Sequence, residues 1–265
     1  DGEWIAFLSD RTGKNEVYVM HVAGSRLTQL TNAPLIEWQG PLAWTREGDF
    51  IGLRGRRNDP GASLTAGVAG AWVYLVPLDG RRPLSLAGSL GTQTPVRFSD
   101  AQDGFAFAGS QPNNALMVGN YQTGWTGEVT LEDRQTFDVA PVLGGAFDWS
   151  LGGRSLVYVV HAPLSSTYSS QIRFSQDLEV GDHQYFTGGS SSAIDQAAAP
   201  QRFKAVSWMP HSLIVASLVG SDETNCFVVR LKNAYNARDP AQDFPGLCVD
   251  GGLSASNWTS DGNWL

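Results

Sequence analysis

The sequence predicts an all-β chain whose repeated four-stranded antiparallel sheets close into a ring, and three observations carry that prediction. The opening Asp1-Gly2-Glu3-Trp4-Ile5 returns as Asp261-Gly262-Asn263-Trp264-Leu265, 260 residues later. An inner-strand signature built on an aromatic residue recurs at positions 44, 98, 149, 208 and 258, spaced by 54, 51, 59 and 50 residues. The 30 Gly and 13 Pro fall as punctuation between short apolar runs, as a chain with many turns requires. Carried back by the 260-residue offset, position 258 stands 46 residues ahead of position 44, so five intervals complete one circuit. Each interval holds four strands of about five residues with their turns, which is the construction of a β-propeller blade. Residues 1–265 are then one propeller domain of five blades, with six blades as the second choice.

The elements follow in order. Residues 4–8 form a short apolar strand, and the polar run Ser9 to Asn15 turns the chain. Residues 16–20 make a second strand rich in β-branched and aromatic side chains, apolar on alternate faces, as suits a strand covered on both sides. Ala23-Gly24-Ser25 turns again, and residues 27–31 form a third strand. The first inner-strand signature, Leu42-Ala43-Trp44-Thr45, precedes another strand at residues 50–53. It returns as Val96-Arg97-Phe98-Ser99, Phe147-Asp148-Trp149-Ser150, Val206-Ser207-Trp208-Met209 and Ser256-Asn257-Trp258-Thr259. Trp44, Trp149, Trp208 and Trp258 share one blade position and are read as core. Strand-like runs between 149 and 208 occur at 156–160, 172–175 and 184–186, while residues 188–200 read as a flexible connector. Closure would set residues 256–259 beside residues 5–8 and remove the open edges of an arc.

The first unit also carries a resemblance. Asp1-Gly2, Trp4-Ile5-Ala6-Phe7, Ser9-Asp10-Arg11, Gly13 and Val17-Tyr18-Val19-Met20, then Gly24, Leu27 and Leu30-Thr31, resemble the repeat of TolB-type β-propellers. The likeness is strongest over residues 1–55, fair around 144–160 and 203–231, and weakest around 93–135. Repeats averaging 52 residues, and five of them, depart from a family in which shorter repeats and six blades are commoner. The resemblance implies a platform for protein interaction, of a kind that accompanies peptidase or sensor domains.

Charge narrows the partners. A formal charge of −8 and a pI near 4.9 argue against wrapping a nucleic-acid backbone. No run of 18 apolar residues occurs, so no helix of this segment is expected to insert in a membrane. The chain opens on Asp1 and reads as a processed or excised domain. Cys226 and Cys248 fall on the third and fourth strands of the last blade, where antiparallel neighbours reach bridging distance, so a disulfide and an oxidising, periplasmic or extracellular compartment are expected.

The search for chemistry is mostly negative. The four His (21, 161, 183 and 211) have no second ligand at metal spacing, and no nucleophile elbow or phosphate loop is present. The Asp10–Asn15 turn is too short for a helix-loop-helix calcium site and is stabilised by its own side chains. Asn257-Trp258-Thr259 fits a glycosylation sequon but lies on an expected inner strand. Asp148, with Asp100 and Asp138 near other inner strands, is the candidate for a central acid. Long loops from Arg56 to Gly70 and from His161 to Tyr168 join second to third strands and share one end of the ring. Trp38, Arg54, Arg56, Arg57, His161 and Tyr168 form the candidate contact face there. The expectation is a non-enzymatic protein-interaction platform in a larger secreted or envelope-exposed protein, using no cofactor or metal. The alternative is a carbohydrate-binding or glycoside-hydrolase-like propeller using central acids, with a glycan as partner.

Overall fold

Short alternating strands with Gly-marked turns give antiparallel meanders, and the computed structural model contains five of them among its described residues. Those residues are 2–57, 71–86, 96–99, 103–108, 116–121, 125–128, 147–150, 152–161, 170–175, 191–198, 201–209, 212–221 and 226–248. No helix occurs among them. The first sheet comprises β1 (Trp4–Ser9), β2 (Glu16–His21) and β3 (Thr28–Gln29). The second holds β4 (Ile36–Trp44), β5 (Phe50–Arg57), β6 (Trp72–Pro77) and β7 (Leu84–Ser85). The third holds β8 (Arg97–Phe98), β9 (Gly104–Ala108), β10 (Leu116–Asn120) and β11 (Trp125–Glu128). The fourth holds β12 (Phe147–Trp149), β13 (Leu156–His161), β14 (Ser170–Ser175) and β15 (Ser191–Ala197). The fifth holds β16 (Gln201–Trp208), β17 (Ile214–Ser221), β18 (Cys226–Asn233) and β19 (Gln242–Cys248). Within each sheet the strands lie side by side in chain order.

Period-two alternation explains how the sheets stand against each other. Tyr74 and Val76 of β6 join Val17, Val19, Trp38, Ile51 and Leu53 in a core between the first and second sheets. Val73 and Leu75, on the opposite face of β6, join Phe98, Phe105 and Phe107 between the second and third. Ala106 and Val118 meet Phe147, Leu156 and Tyr158 between the third and fourth. Val157, Ile172 and Phe174 meet Phe203, Val206 and Trp208 between the fourth and fifth. Each fully buried Leu, Ile or Phe in these layers stabilises the fold by roughly 1.5–3 kcal/mol. A sheet apolar on both faces is stable only between two neighbours. The first strands of the second to fifth sheets touch in succession, β4 to β8 to β12 to β16.

Gly52 shows how closely the second and third sheets approach. A Cβ there would lie 2.3 Å from the Phe98 ring, so only glycine admits that aromatic of the inner-strand signature.

In its strand boundaries the structure differs from the sequence expectations in three places. The strand expected at 27–31 is only the two residues of β3, and the inner strand expected at 42–45 begins earlier, at Ile36. The connector expected at 188–200 contains β15, whose backbone pairs with β14 from Ser170↔Ala197 to Ser175↔Ser191. Ile194 and Ala197 are buried there, so apolar burial and ladder pairing override a Ser-rich composition of low strand propensity. The run at 184–186 and the closing strand at 256–259 lie outside the described residues. In the first sheet β1 pairs only with β2 among the described residues.

Candidate functional site

The candidate contact face divides in the structure. Arg54, Arg56 and Arg57 close β5, at the end where a sheet's second and third strands join. Arg56 and Arg57 are exposed, with Arg56 opposite the exposed Glu37 in the β4–β5 register. Arg54 is half-buried, Nη2 donating to the Gly40 carbonyl at 3.4 Å, and burial pushes its guanidinium pKa down. His161 ends β13 at the equivalent strand end. Tyr168 lies outside the described residues.

Trp38 is corrected: expected as an exposed anchor, it is 1% exposed. Its ring stands edge-on to Tyr74 at 5.3 Å, and its Nε1 donates to Glu16 Oε2 at 3.1 Å. An indole buried with its N–H satisfied is a core residue. Glu16 gathers the first sheet around this contact. Its fully buried carboxylate accepts from the Thr31 hydroxyl and, at 3.3 Å, from the Ala33 amide, and pairs with Lys14 Nζ at 2.8 Å. Burial alone would raise its pKa, but Lys14, Thr31 and Trp38 together hold it below the usual range.

Asp148, the candidate central acid, is occupied on both oxygens. Oδ2 accepts from Ser207 Oγ at 3.0 Å and from the Trp208 amide at 2.9 Å. Oδ1 accepts from the Trp149 amide at 3.1 Å and lies 3.5 Å from Arg97 Nη1. One side chain thus ties β8, β12 and β16, the first strands of three consecutive sheets. Trp149 Nε1, donating to the Arg97 carbonyl at 3.2 Å, adds a second tie between β12 and β8. Burial pushes Asp148 up, opposed by Arg97 and the three donors. A carboxylate engaged by four donors is built as a bracket between strands, not as a free acid or base. Asp100 and Asp138 lie outside the described residues.

Cys226 and Cys248 stand directly opposite in the β18–β19 register and form a disulfide, both residues being exposed on the sheet's outer edge. The hairpin is also held by Arg230, whose Nε and Nη2 reach Asp243 at 2.6 and 2.8 Å, a bidentate pair. Arg230 further approaches Asp195 of β15 at 3.6 Å, linking the outer strands of the fourth and fifth sheets.

No protein-family model and no curated protein matches the chain. Solved structures do. TolB from Acinetobacter baumannii superposes with a TM-score of 0.54 at 11% identity, over 89% of this chain and 50% of that one. The putative TolB from Agrobacterium tumefaciens gives 0.58 at 13%, over 99% of this chain and 84% of that one. The tricorn protease gives 0.64 at 10%, over 98% of this chain and 27% of that one. The fold is propeller-like. At such identities the likeness extends to architecture alone, and the chain spans half the length of the first of these TolB proteins.

The expectation of a non-enzyme is corrected by the same comparison. Besides the tricorn protease, an oligogalacturonate lyase and several peptidases share the architecture. Stacked sheets are a scaffold whose activity is set by the side chains and neighbouring domains grafted on it, so the fold gives no ground for excluding catalysis.

The one signal of Glu16 in the sequence is an acid opening an otherwise apolar strand. The side chains that decide the environments of Trp38 and Asp148 lie 22 and 51–59 residues away. No local pattern reports such distances.

Proposed function

We propose that the chain is a TolB-like β-propeller of five blades that serves as a protein-interaction platform within a larger secreted or envelope-exposed protein. The observation that carries this reading is the exposure of Arg56 and Arg57 at the outer end of β5, where the second strand leads into a long connection. Exposed Arg on a rigid sheet is a residue type enriched at interface hot spots. Among the described residues β1 pairs only with β2, which supports a closing strand from residues 256–259, and the exposed disulfide supports an oxidising compartment. Of the central acids on which the carbohydrate-active alternative rests, Asp148 has both oxygens engaged, and Asp100 and Asp138 lie outside the described residues.

A photo-crosslinking amino acid at position 57, with position 28 on the outer strand as control, tests the platform in the parent cell. A discrete protein adduct at 57 and none at 28 is the expected result. Absence of any adduct at 57 refutes this reading. Closure is tested separately by deleting residues 256–265: the thermal midpoint should fall, and an unchanged midpoint means no strand was lost from beside β1.

A further inference from the structure

The connection between β18 and β19 is braced far beyond what a turn needs. Asn233 Oδ1 accepts from the amides of Tyr235 and Asn236 at 3.0 and 3.2 Å. Asn233 Nδ2 and Asn236 Nδ2 donate to the two oxygens of Asp239 at 3.1 and 2.6 Å. Asn236 Oδ1 accepts from the Arg238 amide at 3.2 Å. Beneath the loop the buried Lys232 donates its Nζ to the carbonyls of Ala237, at 2.9 Å, and Asp239. A segment fixed this way has already met the ordering cost that binding would impose.

The braced loop displays Tyr235, 51% exposed, over the seam between the fourth and fifth sheets. Its ring stands edge-on to Phe174 of β14 at 4.9 Å and to Trp208 of β16 at 6.3 Å. Leu213, 54% exposed, is held alongside by the Ala234 amide donating to its carbonyl at 2.8 Å. The same backbone bond joins Leu78 to Asp49 and Tyr121 to Asp103, so it marks one common end of the second, third and fifth sheets. That end lies where first and second strands join, opposite Arg56 and Arg57.

We propose that Tyr235, Leu213 and Arg238 form a second contact surface of the platform, distinct from the Arg56–Arg57 end, taking a protein segment that sets an apolar side chain beside a carboxylate. This rests on the interaction-platform reading and names the partner's chemistry. Charge selects the occupant. In and beneath the loop the two cations Lys232 and Arg238 outnumber the one carboxylate, Asp239, and Arg238 is exposed. The loop is therefore locally positive on a chain of net charge −8. Screening over about 8 Å at physiological salt confines the chain's repulsion of an acidic segment, leaving the contact with Arg238. Tyr and Arg on a rigid base are the residue types that dominate protein interfaces.

The test uses immobilised 12-residue peptides alternating Phe or Leu with Asp or Glu, the same peptides with Lys for each acid, and a glycan panel. Retention of the acidic peptides, weakened about tenfold or more by Tyr235→Ala, is expected. Arg238→Glu should abolish the preference for acid over Lys. Tyr235→Phe, which keeps the ring, should bind nearly as the parent and separates a lost anchor from a lost fold. Retention of no peptide, equal retention of both charge types, binding of glycans only, or indifference to Tyr235→Ala each overturns this second surface. If binding instead follows Arg56→Glu/Arg57→Glu, or if only the position-57 crosslink is positive, the second surface fails while the platform reading stands.

Discussion

Replacing Asp148 by Asn keeps the side chain's shape and inverts part of its hydrogen bonding. One carboxylate oxygen becomes an NH₂ group facing either the Trp208 or the Trp149 amide. The Ser207 hydroxyl can rotate to accept, but a backbone N–H cannot. One buried donor left unsatisfied costs about 1–3 kcal/mol. Arg97 also loses its carboxylate, worth under about 1 kcal/mol because the guanidinium is partly in water. Part of this is offset by removing a carboxylate that burial penalises, so a net loss near 2 kcal/mol at pH 7 is expected. At roughly 2–4 °C per kcal/mol for a chain of this size, the midpoint should drop about 4–8 °C. Asp148→Ala, which strands every donor, should cost more. The pH dependence has its own sign. The folded-state pKa of Asp148 is raised, so its unfavourable contribution is absent below the ordinary Asp range and grows as pH rises through the folded value. The Asn variant should lack that decline. Differential scanning calorimetry of both variants from pH 4 to 8 checks each part. An Asn variant as stable as the parent at pH 7 would refute the bracket between strands.

Three further outcomes follow from the same contacts. Gly52→Ala drives a methyl group into the Phe98 ring and should cost about 1–3 kcal/mol by urea denaturation, an effect that Phe98→Leu should partly relieve. Glu16→Gln should cost about 1–3 kcal/mol at pH 7. Because the Glu16 pKa is lowered on folding, its contribution is present above the ordinary carboxylate range and fades as pH falls through the folded value, so the two midpoints should converge in acid. Cys226→Ser should cost about 3 kcal/mol for a loop with a sequence separation of 22, and the parent should resist alkylation until reduced.

Repetition made the architecture legible. Trp44, Phe98, Trp149 and Trp208 were aligned by spacing alone, and each lies on the first strand of its sheet. The Cys226–Cys248 pairing was equally readable, because hairpin register follows from two adjacent strand runs. The burial of Trp38 is not legible locally, because proximity to a loop says nothing about a carboxylate on another sheet. Ser191–Ala197 is not legible as a strand because its residues are poor strand formers, with Ile194 and Ala197 recovering the cost by burial. Tyr235 gives no signal in the sequence, because the asparagines that brace it have the composition of an ordinary polar turn.

Among the described residues the apolar interior is distributed over four separate layers, and none of these residues belongs to two of them. Damage should therefore stay local: substitutions at Leu53 and at Val206 should sum in their effects, as distant, independent sites do. Cooperativity across the whole chain then falls to the few polar side chains that reach past a single layer. In such a molecule one end can be reshaped over evolutionary time while the far layers keep their packing.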